Sequence, residues 1–183
     1  MNLFYLDEDL DTCAAYHIDK HVGKMQLEAT QLLTTALWVD KLIGHVPRKL
    51  DSDELKVLND AKKLEPDIDS RVFTRYLPTH VNHPSNIWVR TSLENYYWTL
   101  NYVNALNQES MWRGNKSHAS CAEANRLPEP KRLPQEGFTK FALAMPDQFK
   151  SDDPIASYRA FYIFDKAEFA TWKKRGVPHW WTL

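Results

Sequence analysis

The longest regular pattern in the chain begins at Tyr16. Apolar residues recur at Ile18, Val22, Met25, Ala29, Leu32 and Ala36, the spacing of one face of a helix that turns about 100° per residue. Beside that stripe runs a polar line of His17, His21, Lys24, Glu28, Gln31 and Thr35. Asp7, Asp9 and Asp11 supply cap and first-turn acids ahead of it, and Gly44 stands just past its end. The pattern predicts one long helix from the acidic turn to about Ile43.

Asn2–Leu6 is apolar and reads as a small edge strand or a tucked arm. His45–Leu50 is a loop. Asp51-Ser-Asp-Glu caps a second helix that ends before Pro66. Ile68–Tyr76 is ambiguous, with a short helix as one option. Pro84, after the turn-rich PTHVNHP, fits the first position of a third helix running to about Trp112. Val89, Leu93, Tyr96, Leu100 and Val103 form its apolar stripe, and Asn86, Arg90, Glu94, Asn101 and Asn104 a polar one. Gly114 closes it. A short helix over His118–Arg126, a proline-rich loop over Leu127–Gly137 and a short apolar stretch over Phe138–Met145 follow. Asp153-Pro154 opens a helix through Phe164, and Lys166–Arg175 reads as another, stopped by Gly176 and Pro178. The PHWW tail is too aromatic for solvent and should pack back. With no repeat or heptad array, the expectation is mainly α: a compact helical bundle in a single domain over 1–183.

The composition narrows the function classes. The 183 residues suffice for a real core, and 13% of them are aromatic, with 7 Trp. The net charge of −1 leaves any nucleic-acid partner dependent on a local basic patch. Cys13 and Cys121 are far apart, which fits a reducing compartment and excludes a disulfide framework or a cysteine-rich zinc site. MNLFYLDEDLD turns acidic at once and no apolar run could span a bilayer, so a cytoplasmic protein without membrane contact is expected. Walker, GxGxxG, GxSxG and paired CxxC motifs are missing.

Two imidazoles, an ammonium and a carboxylate on one helix line can all move protons, and Lys and Glu can also form covalent intermediates. His17, His21, Lys24 and Glu28 are therefore the candidate catalytic set. Its alternative is a satisfied polar seam between helices. In a partly buried seam Lys24 would titrate low and act as a nucleophile, with Glu28 as its base or its ion-pair partner. His17 and His21 at i, i+4 could share a metal, but HxxxH lacks the glutamate of HExxH, so no metal and no cofactor are expected. A second cluster surrounds the start of the third helix. Asn82, His83, Ser85, Asn86, Trp88 and Arg90 could meet a phosphate or carboxylate at free amides, or could simply cap the helix. Arg75, Arg113, Lys116 and His118 add positive charge near its two ends.

NHPSNIWVRTSLENYYWTLNYVNALNQESMWRGNKSH resembles the central segment of pyrimidine-dimer DNA glycosylases of the endonuclease V type, in which His-Pro and Trp open a long helix that closes with an acid, a Met and Arg-Gly. CAAYHIDKHVGK is similar to that family's first helix. The whole chain also resembles a group of bacteriophage proteins with a YHxDKHVxKM helix and an NHPSxxW segment. The glycosylase resemblance covers about half of the chain. It implies DNA as partner, matches His17 to the family's helix histidine and Arg113 to its Arg-Gly arginine, and places Lys24 where the family has its catalytic glutamate. The family's nucleophile is the amine exposed by loss of the initiator Met; here the bulky Asn2 should keep Met1 in place. The resulting expectation is a phage-type DNA base glycosylase/lyase, or a related base-modifying enzyme, in which Lys24 attacks C1′ and Glu28 or a histidine moves protons. Two other readings stay open: a non-catalytic nucleotide- or host-factor-binding protein, and a metal-dependent hydrolase on the histidine pair.

Overall fold

The computed structural model describes residues 1–64 and 74–182. It is mainly α. The helices are α1 (Leu10–Tyr16), α2 (Asp19–Leu42), α3 (Ser52–Leu64), α4 (Pro84–Val89), α5 (Leu93–Trp112), α6 (Ala119–Ala124) and α7 (Pro154–Lys166). The described residues include no strand, and Asn2–Leu6 is an extended arm. Most of the ambiguous Ile68–Tyr76 stretch lies outside the described residues. No helix is long and apolar enough to cross a membrane among the described residues.

The helices α2 and α5 share the most extensive packing, and α1, α4 and α6 lean on them. Ile18, Met25, Ala29, Leu32 and Ala36 of the apolar stripe enter the main core, together with Tyr102, Leu106, Tyr158 and Tyr162. Leu3, Phe4 and Leu6 of the arm are buried in the same core. Each contributes about 1.5–3 kcal/mol relative to exposure, ample to hold a segment that has no ladder of its own. A smaller cluster of Trp38, Val39, Val46, Leu50 and Leu58 forms where α3 meets the far end of α2.

Several starts and stops follow local chemistry. Gly44 ends α2 at φ +120°, a conformation that L side chains rarely adopt. Asp51 and Glu54 cap α3 reciprocally: Asp51 Oδ1 accepts from the Glu54 amide and Glu54 Oε2 accepts from the Asp51 amide. Asp153 caps α7 ahead of Pro154.

Three expected helices are corrected. The first is broken at His17 and Ile18: Ile18 gives its amide proton to Tyr162 Oη (3.0 Å) and Asp19 gives its own to the Thr171 carbonyl (2.9 Å). The third is split at Arg90–Ser92, where Ser92 Oγ accepts from the Asn95 amide as a new N-cap and donates to the Gly137 carbonyl. The last, over Lys166–Arg175, is only a single tight turn at Ala167–Phe169. Beyond it Thr171 and Lys173 donate to the Asp19 carboxylate, which holds the segment extended across the α1–α2 break. The tail does pack back, with Trp172, Trp180 and Trp181 against the main core.

Candidate functional site

Three of the four catalytic candidates meet at one cavity. His21, Lys24 and Glu28 line a pocket of about 170 Å³ with Met1, Asn2 and Phe4 of the arm and Phe161, Asp165 and Lys166 of α7. The pocket opens between α2, the arm and α7, and no residue of α5 lines it. Glu28 is its hub. Its carboxylate is 15% exposed, accepts the Asn2 amide proton at 3.0 Å, and lies 3.5 Å from Lys24 Nζ and 3.7 Å from the α-amine of Met1. Asn2 is fixed in turn: its side-chain amide donates to the Ala144 carbonyl and its Oδ1 accepts from the Leu3 amide and Tyr158 Oη. Two primary amines thus face one carboxylate. The partial burial expected of Lys24 is not observed, because its side chain is 61% exposed and stands at the rim.

The histidines behave differently from that solvated amine. His17 is fully buried at the C-terminus of α1, off the pocket. Its Nδ1 meets the Cys13 carbonyl at 2.7 Å. A carbonyl can only accept, so Nδ1 carries the proton and Nε2 accepts from Tyr102 Oη at 2.7 Å. Burial pushes His17 down to about 4, against the opposing pull of the Cys13 carbonyl. His21 stacks on Phe4, and its Nδ1 lies 2.9 Å from Tyr162 Oη. That hydroxyl accepts the Ile18 amide, and among the described residues its buried proton finds no acceptor but His21 Nδ1, so the ring hydrogen sits on Nε2. Burial, then His17, Lys166 and Lys24, push His21 down to about 2. His21 is a neutral hydrogen-bond donor at the pocket wall. His17 is a positioning group with both nitrogens engaged, which leaves it no lone pair for a metal. No cluster of three or more metal-ligating side chains occurs among the described residues.

The second cluster is dispersed and mostly built into the fold. Arg90 is fully buried and gives its protons to the carbonyls of Val46, Val81 and Arg48 and to Asn86 Oδ1. It gathers the loop after α2, and burial pushes it down to about 10. Asn86 also donates to the Leu32 carbonyl, and Asn82 pairs with both backbone groups of Leu50. Ser85 is buried, and Trp88 sits among Trp98, Phe138 and Phe141. His83 and His118 are N-caps of α4 and α6, each accepting through Nδ1 from the amide two residues on. Burial lowers His83, helped by the chain's amino terminus and His80 and opposed by Glu28. Arg113 is buried between Glu109 (2.7 Å) and Asp19 (2.9 Å), and Arg175 grips Glu109 from the other side at 2.6 Å. Burial would raise the Glu109 carboxyl, but these two guanidiniums hold it below the usual range. Arg75 and Lys116 are exposed, away from the pocket lining.

Sequence patterning did not bring in the α-amine of Met1, Asn2, Asp165 or Lys166. They reach the pocket from the arm and from α7, more than a hundred residues apart, and no local periodicity links them. Comparison with protein-family models, curated proteins and solved structures finds no match.

Proposed function

We propose that the chain is an imine-forming enzyme that acts on DNA, a base glycosylase/lyase centred on Glu28. The observation that carries this reading is the pairing of primary amines with a single, mostly buried carboxylate in a pocket walled by a neutral histidine. An ammonium is no nucleophile. Glu28 is placed to take its proton, after which Lys24 at the rim attacks C1′ of the sugar. The N–C1′ bond forms as the glycosidic bond breaks, and the departing base keeps the bonding electrons and takes a proton. His21, with Tyr162 on its Nδ1, donates from Nε2 to an oxygen of the substrate. The resemblance of the two helical segments to pyrimidine-dimer glycosylases supports DNA as the substrate. So do the rim lysines and the aromatic Phe4 and Phe161 walls, suited to an extruded nucleotide.

The test is borohydride trapping on duplexes carrying damaged bases or an abasic site, with peptide mapping of the adduct. Lys24→Ala should abolish the adduct, while Lys140→Ala, on a distant surface, should leave it intact. An adduct mapping to Met1 would keep the reaction and move the nucleophile to the second amine beside Glu28. No adduct on any such duplex, with Glu28→Gln unaltered in DNA affinity, would overturn the enzyme in favour of a non-catalytic binding protein.

A further inference from the structure

The Glu28 pocket gathers more cations than its carboxylates match. Lys166, at the end of α7, lies 5.6 Å from the Phe4 ring centroid and 5.7 Å from that of Phe169. Lys20, one turn before Lys24 on α2, lies 4.9 Å from the same Phe169 ring. Two ammoniums from different helices therefore share one aromatic platform, a geometry that the ring quadrupole favours. Asp165 pairs with Lys166, whereas Lys20 makes no ion pair among the described residues. The Lys166 side chain is only 16% exposed, so its ammonium is held rather than swinging in solvent. Phe169 itself lies 6.4 Å from His21. Lys24, Lys166 and the Met1 amine line the pocket with two carboxylates, Glu28 and Asp165, and Lys20 joins them from outside the lining through the Phe169 ring. Like charges converge in this way at a cost unless an anion is drawn between them.

We propose that Lys20 and Lys166, brought together on Phe169, form a phosphate subsite that holds the phosphate next to the sugar presented to Glu28. The inference rests on the nucleotide substrate argued above and assigns its recognition to residues outside the reacting set. Lys166 is the anchor, fixed by its packing on Phe4, and Lys20 closes from the exposed side. A free phosphate and a phosphate within a nucleic acid share this chemistry.

The probes are inorganic phosphate, thymidine 5′-monophosphate, thymidine and an abasic duplex, titrated calorimetrically and by fluorescence anisotropy against the full chain. The monophosphate should bind detectably at millimolar concentration and thymidine should not. Lys166→Met keeps the aliphatic stem over Phe4 and removes the charge, so the fold is retained. It should weaken the monophosphate by roughly tenfold, the scale of one charged hydrogen bond. It should also reduce the salt slope of duplex binding by about one. Lys166→Arg should restore most of both, and Lys140→Met should change neither. Inorganic phosphate matching the monophosphate would assign the subsite to the anion alone; a stronger monophosphate would extend it to the sugar. Monophosphate binding no better than thymidine, or equal in wild type and Lys166→Met, would overturn the subsite. Trapping of the DNA adduct that survives such a result leaves the glycosylase reading standing, and phosphate binding without any adduct does the reverse.

Discussion

Acid tests the buried imidazoles most directly. In the unfolded chain both histidines take up a proton near about pH 6.5. In the fold His17 resists protonation down to about 4 and His21 to about 2. Their folded values lie below the unfolded ones, so their neutral burial costs nothing above about pH 6.5 and destabilises progressively as the pH falls. Each proton bound only by the unfolded state removes about 1.4 kcal/mol of stability per pH unit, and two remove about 2.7. His17 alone should remove about 3 kcal/mol by the time pH reaches its folded value of about 4. By about pH 4.5 the pair should have removed about 5 kcal/mol, comparable with the entire stability of many domains. The half-buried His83 shifts in the same direction. The carboxylates act in a lower window: Asp19 and Glu109 are held below their ordinary values, so their contribution persists above those values and is lost only in stronger acid. Urea unfolding at half-unit steps from about pH 7.5 to pH 4.5 gives the slope, and ring proton signals give the two titrations. His17→Gln should be less stable at neutral pH yet lose about one proton's worth of slope. A flat stability profile between about pH 6.5 and pH 5, or a His17 ring titrating near 6.5, would refute the buried, neutral arrangement.

Two further substitutions probe what holds the elements in place. Glu109→Gln leaves the buried Arg113 and its neighbour Arg175 without their shared carboxylate and should cost about 3–5 kcal/mol by urea denaturation. A loss below about 1 kcal/mol would show that this cluster does not tie the tail to α5. Ser92→Ala removes the N-cap of α5 and should cost about 1 kcal/mol, with faster amide exchange at Asn95; unchanged exchange there would contradict the cap.

The sequence made some features of this fold readable and hid others, for physical reasons. Caps are local, and Asp51, Pro84, Asp153 and Gly44 mark real starts and stops because their partners lie within a few residues. The break at His17 and Ile18 leaves no such mark. The apolar stripe begins at Ile18 and does not register it, and the freed Ile18 amide bonds the Tyr162 hydroxyl, 144 residues further on. Likewise Lys166–Arg175 carries helix-forming residues, yet the Asp19 carboxylate claims the Lys173 amide and the Thr171 hydroxyl. Ser92 was legible in principle, since a serine three residues before Asn95 is a capping pattern, but the continuous stripe of Val89, Leu93 and Tyr96 masked it. The candidate site divides the same way. The i, i+4 placement of Lys24 and Glu28 follows from helical spacing alone. The degree to which Lys24 is solvated, the removal of His17 from the pocket and the arrival of Asp165 and Lys166 depend on the arm and α7, which spacing along α2 cannot report.

The arm has a consequence for how the chain is made. Leu3, Phe4 and Leu6 are synthesised about 150 residues ahead of Tyr158 and Tyr162, which close over Phe4. At about 5–20 residues per second the arm waits roughly 8–30 s for its cover. During that interval Phe4 has only its contacts with His17, His21 and Cys13 and lacks the two tyrosines of α7. Synthesis order therefore delays the pocket until α7 is made, when Tyr158 bonds the Asn2 side chain and Phe161, Asp165 and Lys166 close the wall opposite Glu28.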